Sequence, residues 1–493
     1  MQPAPPSING ATFEELPPGP QLMASMRSVG YSLRTAIADV IDNSISAGAS
    51  TVAIDFGHDP HPYIAITDDG HGMTPQTARE AMRLAGSSLR TTRAASDLGR
   101  FGLGLKTASL SQARSLIVVS KTATTGPVAY NWSLKAIEKT GRWTLLSPPL
   151  DALEWLTPYS VLRRQTSGTI VLWEDLDLLQ AQWGPSAADL DRAMSEVRDH
   201  IGLVFHRFID QRASSPVRII LNGHPISAND PFLSRHRATQ VTGEDTITIR
   251  GETVSVQGYT LPALNKLTKR ELDALHVAGT PTESQGFYVY RAKRLVVWGT
   301  WFRLAPKSNM RRLTRIRVDV PNSLDDLWSL DVKKSQAQPP PEVRNRLRKM
   351  VELFTAPSER VHQYRGRRTS NDSVTHIWNL VEHDKIFRYE INRAHPALVA
   401  LADSLNSEQL RTLNAILTMA ETGLPIGDIF NRLSQDKLNS NDEIAIDQLI
   451  DLGYSLRQAL PTTDSATIET ILRTTEPFVN HPSLDQAILE ILK

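Results

Sequence analysis

Residues 38–49 read Ala-Asp-Val-Ile-Asp-Asn-Ser-Ile-Ser-Ala-Gly-Ala, and the fold turns on how this stretch sits in a helix. From Ala36 onward, Ile37, Val40, Ile41, Ser44 and Ile45 recur at helical spacing. That pattern predicts an inward apolar face, with Asp39, Asp42, Asn43 and Ser46 gathered on the other. Asp39 and Asn43 then stand one turn apart. A carboxylate in that place can orient a water, and an amide oxygen one turn on is a hard ligand of the kind Mg²⁺ accepts beside phosphate oxygens. By itself an Asp-x-x-x-Asn pair is more often a solvated helix face.

Two later segments complete the pattern. Tyr63, Ala65 and Thr67 alternate with Ile64 and Ile66, which predicts a strand running into Asp68-Asp-Gly-His-Gly72. Glycines there let backbone pass close to a flat ligand, and a buried carboxylate at the strand end can accept from an exocyclic amine such as adenine N6. The third segment, Leu98-Gly-Arg-Phe-Gly-Leu-Gly-Leu-Lys106, is a glycine loop entering a helix N-terminus, where free N–H groups and the helix dipole favour phosphate. Its glycine spacing is neither the dinucleotide fingerprint nor a Walker P-loop. Finally Ser167-Gly-Thr169 leads a predicted strand from Ile170 to Trp173.

Order and spacing together make this set specific. It resembles the GHKL ATPase family, named for gyrase, Hsp-type chaperones, histidine kinases and MutL. Residues 38–49 look most like the MutL and MORC versions, and residues 99–106 most like MORC. The resemblance spans about residues 20 to 180 and implies an ATP and Mg²⁺ site. In it Asp68 would hold adenine with Thr169 in support, Asn43 would hold Mg²⁺, and Asp39 would be the general base. Gly99, Arg100, Phe101, Gly102, Leu103, Gly104, Leu105 and Lys106 would form the phosphate lid. Gly70, Gly72, Met73, Ser87 and Ser88 join the nucleotide contacts on the same ground. Two departures matter: relatives usually carry Glu where this chain has the shorter Asp39, and MutL-type proteins read Asp-Ala-Gly where this chain reads Ser46-Ala-Gly48. The first predicts a slow ATPase, because base efficiency depends on reach to the attacking water.

The chain has 493 residues, 40% of them apolar, and no cysteine, which excludes disulfides and thiolate metal sites. Its Pro-rich start lacks a basic, apolar leader and no stretch approaches membrane-spanning length, so a cytoplasmic protein with no membrane partner is expected. The net charge of +1 hides an asymmetry: residues 371–493 hold nine Lys and Arg against 18 Asp and Glu, leaving +10 for the rest. Between Arg291 and Arg317 stand Arg291, Lys293, Arg294, Arg303, Lys307, Arg311, Arg312, Arg315 and Arg317 with no acidic residue. That strip predicts contact with DNA phosphates through a subset of its members.

The expected architecture is α+β. A flexible Pro-rich arm over 1–20 precedes a GHKL α/β sandwich over 21–212, with strands near 115–120, 129–134, 143–146 and 169–173 and helices on one face of the sheet. Residues 213–356 order as strand, strand, hairpin turning at Ala292-Lys293, strand and helix, which resembles the ribosomal-S5-like transducer domain. Lys333 and Lys334 fall where that domain's lysine loop would sense the γ-phosphate. A basic linker over 357–373 leads to an all-helical region over 374–493, with breaks at Gly423, Gly453 and His481-Pro482. That region would bind a partner protein or mediate dimerisation.

The resemblance implies an ATP-dependent homodimer acting as a clamp on DNA, in restriction, repair or phage defence. The strongest rival is a nucleotide-gated protein scaffold that hardly hydrolyses ATP. A histidine kinase would need an acceptor helix pair ahead of the ATP domain, where only some thirty residues stand; a chaperone would carry a long middle domain and an acidic tail, and the basic transducer region argues against it; a MutL-type nuclease would need a C-terminal Asp/His/Glu cluster, and none is visible.

Overall fold

The computed structural model describes residues 7–8, 11–12, 27, 30–83, 104–325, 327–328, 339–363, 374–383, 386–426, 429, 444–460 and 463–493. The fold is α+β, and the chain divides into two compact units, Met1–His362 and Gln363–Lys493. In the arm, β1 (Ser7–Ile8) and β2 (Ala11–Thr12) pair antiparallel.

Helix α1 is Leu33–Ser46. The Ser32 hydroxyl accepts from the Thr35 N–H at its start, and Gly48, at φ +75°, lets the chain leave past its end. Its apolar side packs on a seven-stranded sheet ordered β6-β5-β7-β4-β3-β8-β9. The strands are β3 (Thr51–Gly57), β4 (Tyr63–Asp68), β5 (Ser115–Lys121), β6 (Val128–Ser133), β7 (Gly168–Glu174), β8 (Arg218–Leu221) and β9 (His224–Pro225). Only β3 and β8 run parallel. Around the sheet lie α2 (Pro75–Met82), α3 (Gly104–Leu110), α4 (Leu134–Thr140), α5 (Thr157–Arg164), α6 (Asp177–Trp183) and α7 (Ala187–Val204).

Alternation explains both faces. Ile64, Ile66, Leu116, Val118, Val171 and Trp173 meet α1 and α7, whereas Ala65, Ile117, Val119, Ile170 and Leu172 meet Leu153, Leu156, Tyr159 and Leu162. Cover on one face alone, as the sequence implied, is therefore incomplete: residues 150–164 close the other side of β4, β5 and β7. Nor do residues 143–146 form a strand; Leu146 makes a single antiparallel bridge with Asn131 and the chain moves on.

After the short helix α8 (His206–Ile209), a second, five-stranded sheet follows in the order β10-β11-β14-β12-β13. It comprises β10 (Gln240–Ile249), β11 (Glu252–Thr260), β12 (Gly286–Arg291), β13 (Arg294–Thr300) and β14 (Thr314–Val320), with α9 (Lys269–His276) inserted and α10 (Pro341–Gln363) closing it. This sheet stands where an S5-like transducer was expected. Phe287, Val289, Ile316 and Val318 face Val343, Leu347, Val351 and Phe354 of α10. Tyr288 and Tyr290 point the other way, to Leu203 of α7 and Phe232. Tyr290 and His206 share a 2.7 Å hydrogen bond across that side. Both faces of the second sheet are thus covered.

The second unit opens with a hairpin, β15 (Trp378–His383) and β16 (Ile386–Ile391), ahead of its helices. These are α11 (Pro396–Ser404), α12 (Ser407–Thr422), α13 (Ile446–Ala459), α14 (Ser465–Thr474) and α15 (Leu484–Leu492). Gly453 does not break α13; it lies inside it, where a Cβ would come within 2.1 Å of Ile491 Cδ1 on α15. The glycine is there for close helix packing, which outweighs its cost of about 1 kcal/mol in a helix. Among the described residues no helix is long and apolar enough to cross a membrane.

Candidate functional site

The antiparallel register of β4 and β7 sets Asp68 opposite Thr169, so two of the sequence motifs meet at one sheet end. Asp68 is 6% exposed. Its Oδ1 accepts from the Gly70 N–H at 3.0 Å and the Thr169 N–H at 3.2 Å, and its Oδ2 from the Ser44 hydroxyl at 2.9 Å. Burial pushes its carboxyl above the ordinary range, against the pull of those three donors. Such a group is aimed and desolvated, as an acceptor for a ligand amine should be.

The backbone around it admits no side chains. At Gly72, φ +68°, a Cβ would stand 1.8 Å from the Lys121 carbonyl oxygen, and at Gly168 one would stand 2.2 Å from the Asp68 carbonyl oxygen. Asp69 braces the turn from outside, accepting from the N–H groups of Ser50 and Thr51 at 2.8 Å each. Ser120 ties the walls together. Its hydroxyl accepts from the Met73 N–H at 2.9 Å, donates to the Gly168 carbonyl at 3.1 Å and lies 2.9 Å from the Thr169 hydroxyl.

Sequence reasoning missed Ser120 and Ser44. Nothing in the sequence marks Ser120, which sits mid-pattern in β5. Ser44 did carry a signal: it is a lone hydroxyl on the isoleucine face of α1, and a buried hydroxyl needs a partner.

Asn43 is exposed on α1, and among the described residues its side chain makes no hydrogen bond. Asp39 and Asp42, on the face opposite the isoleucines, are buried at 6% and 1% exposed, so that face is not open to solvent there. The physical reason is Arg294, the first residue of β13, which covers that face. Its Nη2 lies 3.5 Å from Asp39 Oδ1 and its Nε 2.7 Å from Asp42 Oδ1. The Nε approach misses the N–H direction, so it is an ion pair by distance and not a hydrogen bond by angle.

Leu105 packs against the core, and Lys106 is only 3% exposed. The Lys106 ammonium donates to the Ala81 and Arg83 carbonyl oxygens at 2.9 and 2.7 Å, where α2 ends and its carbonyls lack helical partners. Those two carbonyls hold the ammonium at the end of α2, and burial lowers its pKa to about 8. Gly104 opens α3. Ser87, Ser88, Gly99, Arg100, Phe101, Gly102, Leu103, Lys333 and Lys334 lie outside the described residues.

The basic strip is corrected more heavily. Arg291, Arg294, Arg312 and Arg315 are buried. Arg291 pairs bidentately with Asp325 at 2.7 to 2.9 Å. Arg315 donates to the Arg312 and Thr314 carbonyls and to the Ser284 hydroxyl, at 2.8, 3.0 and 2.8 Å. Arg317 pairs with Asp319 at 3.0 Å and Glu244 at 3.1 Å. Arg291, Arg315 and Arg317 thus spend their charge on groups of the chain itself. Of the strip, Lys293, Arg303 and Lys307 are exposed.

Residues 31–169 match the family model described as histidine kinase-, DNA gyrase B-, and HSP90-like ATPase. Protein MICRORCHIDIA 3 of Arabidopsis thaliana is 30% identical over 125 residues, which is 24% of this chain and 21% of that protein. Protein MICRORCHIDIA 4 of the same plant is 26% identical over 169 residues, 31% of this chain and 20% of that protein. The match therefore spans about a fifth of these relatives' length. Among solved structures, the ATPase and transducer domains of DNA topoisomerase II from Balamuthia mandrillaris align over 68% of this chain and 86% of that one, with 12% identity and a TM-score of 0.40. Over residues 31–169 the chain is therefore similar to GHKL-type ATPase domains, and within that stretch to the MICRORCHIDIA proteins.

Proposed function

We propose that this protein binds ATP with Mg²⁺ between α1, the end of β4 and the start of β7, and hydrolyses it slowly. The observation that carries this reading is Asp68: a carboxylate buried at a strand end, aimed by Ser44, Gly70 and Thr169 and bordered by backbone that tolerates only glycine. Adenine's exocyclic amine is the donor it fits. Asn43, exposed beside it with an uncommitted amide, suits Mg²⁺, which would neutralise phosphate charge and orient the terminal phosphate. Asp39 is the base that takes a proton from the attacking water, and its short side chain supports a low rate. Lys333 or Lys334 would sense the γ-phosphate, and Gly99 to Lys106 would complete the phosphate contacts.

On the same reading the domains are the arm over 1–20, the ATP domain over 21–212, a transducer over 213–356, a linker over 357–373 and the C-terminal region over 374–493. ATP draws two copies together, and the closed pair retains DNA; the C-terminal region takes a protein partner. Steady-state ATP turnover with and without duplex DNA, beside native mass measurement with a non-hydrolysable ATP analogue, tests the reading. Turnover that DNA stimulates and a dimer that appears only with the analogue are the expected results. A protein that fails to bind ATP overturns it.

A further inference from the structure

The turn joining β12 to β13 carries backbone of an uncommon kind near the site. Ala292 and Lys293 both hold positive φ, 46° and 70°, as a two-residue hairpin turn with this twist demands, yet neither is glycine or asparagine. Non-glycine residues stay in that region only where the surroundings fix them. Two anchors do so here. Arg291 and Arg294, register partners on either side of the turn, reach in different directions: Arg291 to Asp325, and Arg294 to Asp39 and Asp42 on α1. The Arg294 guanidinium also lies 5.6 Å from the centre of the Phe205 ring, at the end of α7. A strained turn with an arginine at each end is therefore fixed between the second sheet and the helix that bears the base.

The charges around it point the same way. Asp39 and Asp42 are three residues apart on one helix, so their side chains are neighbours and repel. His200 cannot offset them. Burial first, then the guanidinium groups of Arg294 and Arg34, lower its pKa to about 3, which leaves it neutral. A cavity of about 430 Å³ opens beside Arg294, bordered by Arg34, Thr35, His200 and Trp298, and no acidic residue lines it. Among the described residues, Asp39 and Asp42 are Arg294's ion-pair partners. Both carboxylates lie against this buried guanidinium, which comes from a different sheet.

We infer that Arg294 is a positioning residue for ATP hydrolysis: it spans Asp42 and Asp39 and thereby fixes the Asp39 carboxylate, on behalf of the second sheet, where the attacking water must be met. The inference rests on the nucleotide reading above. It makes the base's geometry depend on how the β12–β13 turn seats against α1, so a movement of the second sheet would be felt first at the water and not at the adenine.

The test compares the full chain with Arg294→Gln, Arg294→Lys, Asp42→Asn and the Arg294→Gln/Asp42→Asn double variant. The readouts are ATP affinity by fluorescent-nucleotide displacement, single-turnover rate and melting temperature. The expected result for Arg294→Gln is a hydrolysis rate at least tenfold lower with ATP affinity within twofold. Arg294→Lys recovers part of that loss, because an ammonium can meet one carboxylate but not fork across two. The double variant loses less than the product of the two single losses, because both act through one contact. Hydrolysis by Arg294→Gln within twofold of the wild type overturns the inference. So does a rate that rises, which would make the contact a restraint, and so does a parallel fall of affinity, rate and melting temperature. Absence of ATP binding in the wild type instead overturns the nucleotide reading itself.

Discussion

Helix α1 and strand β14 both carry charge into the interior of the same unit, and they neutralise it at different ranges. On α1, Asp39 and Asp42 are met by Arg294, an ion pair that exists only because a second sheet docks against the helix. On β14, Arg315 finds the carbonyls of Arg312 and Thr314, its neighbours in the chain, and Arg317 finds Asp319 two residues on in the same strand. Local partners make the β14 charges part of the fold. Distant partners leave the α1 carboxylates poised beside an exposed Asn43 and the buried Asp68. Substitutions on α1 and β4 should therefore cost chemistry and spare stability, while substitutions on β14 should do the reverse.

The largest effect expected is at Asp39. Replacing it with Asn should lower ATP turnover by about a hundredfold or more, the lower range for losing a general base, with ATP affinity within twofold. Asn43→Ala should lose binding and turnover together through the metal. Single-turnover hydrolysis with an independent binding titration checks both. An Asp39→Asn rate equal to wild type would move the base elsewhere, with Asp42 next in line.

Asp68→Asn should weaken ATP binding at least about tenfold, since an amide can present a donor where the adenine amine needs an acceptor, and a hydrogen bond to a charged group is worth about 1.5–3 kcal/mol. Stability should move the other way. A carboxyl whose pKa is raised by burial adds stability only at low pH and loses it as pH rises through the folded-state pKa, so at pH 7 the charge is a burden. The amide oxygen can still accept from Gly70 and Thr169. Calorimetry should find the variant's melting temperature at pH 7 equal to or above wild type; a clear fall would make Asp68 a structural group.

On β14, Arg315→Met should destabilise the protein by about 2–4 kcal/mol, because three buried oxygens lose a charged donor. The exposed Lys293, replaced by Ala, should change stability by less than about 0.5 kcal/mol. Urea unfolding with an unchanged m-value checks the pair. ATP affinity should be untouched in both, and a selective loss of hydrolysis in Arg315→Met would erase the contrast with α1.

The difference in range also explains what the sequence revealed. The placement of Asp68, Gly70, Gly72 and Thr169 at one sheet end was legible because strand ends and tight backbone are what alternation and glycine spacing record directly. The hairpin at Ala292-Lys293 and the strand at 314–320 were legible for the same reason. Burial of Asp39 and Asp42 was not, since helical periodicity assigns a face but cannot know that β13 will cover it. Nor could a count of nine basic residues show that both faces of β14 are packed, one on α10 and the other with Arg315 against the Tyr288 ring and Arg317 against the Tyr259 ring. Gly453 shows the same limit: its sequence context looks like a helix end, while its meaning comes from Ile491.

The smallest effect concerns DNA, and the burial of the strip changes how it must be sought. Reversing Arg312 would test folding, since that side chain is 6% exposed. Among the described residues, the exposed cations that could meet phosphate include Lys293, Arg303 and Lys307, together with Arg346, Arg348 and Lys349 on the exposed side of α10. Arg346 and Lys349 are three residues apart and share a face. If about three of these groups touch phosphate, duplex affinity should fall with salt at a log–log slope near about −3, gentler than a fully exposed strip would give. Arg346→Glu with Lys349→Glu should flatten that slope by about 2 and weaken binding alike for every sequence, because phosphate contacts carry no base readout. ATP affinity and melting temperature should not move, since neither side chain reaches the core. A slope unchanged by the double reversal would remove α10 from the interface and leave its basic face, like the buried arginines of β14, with no part in binding.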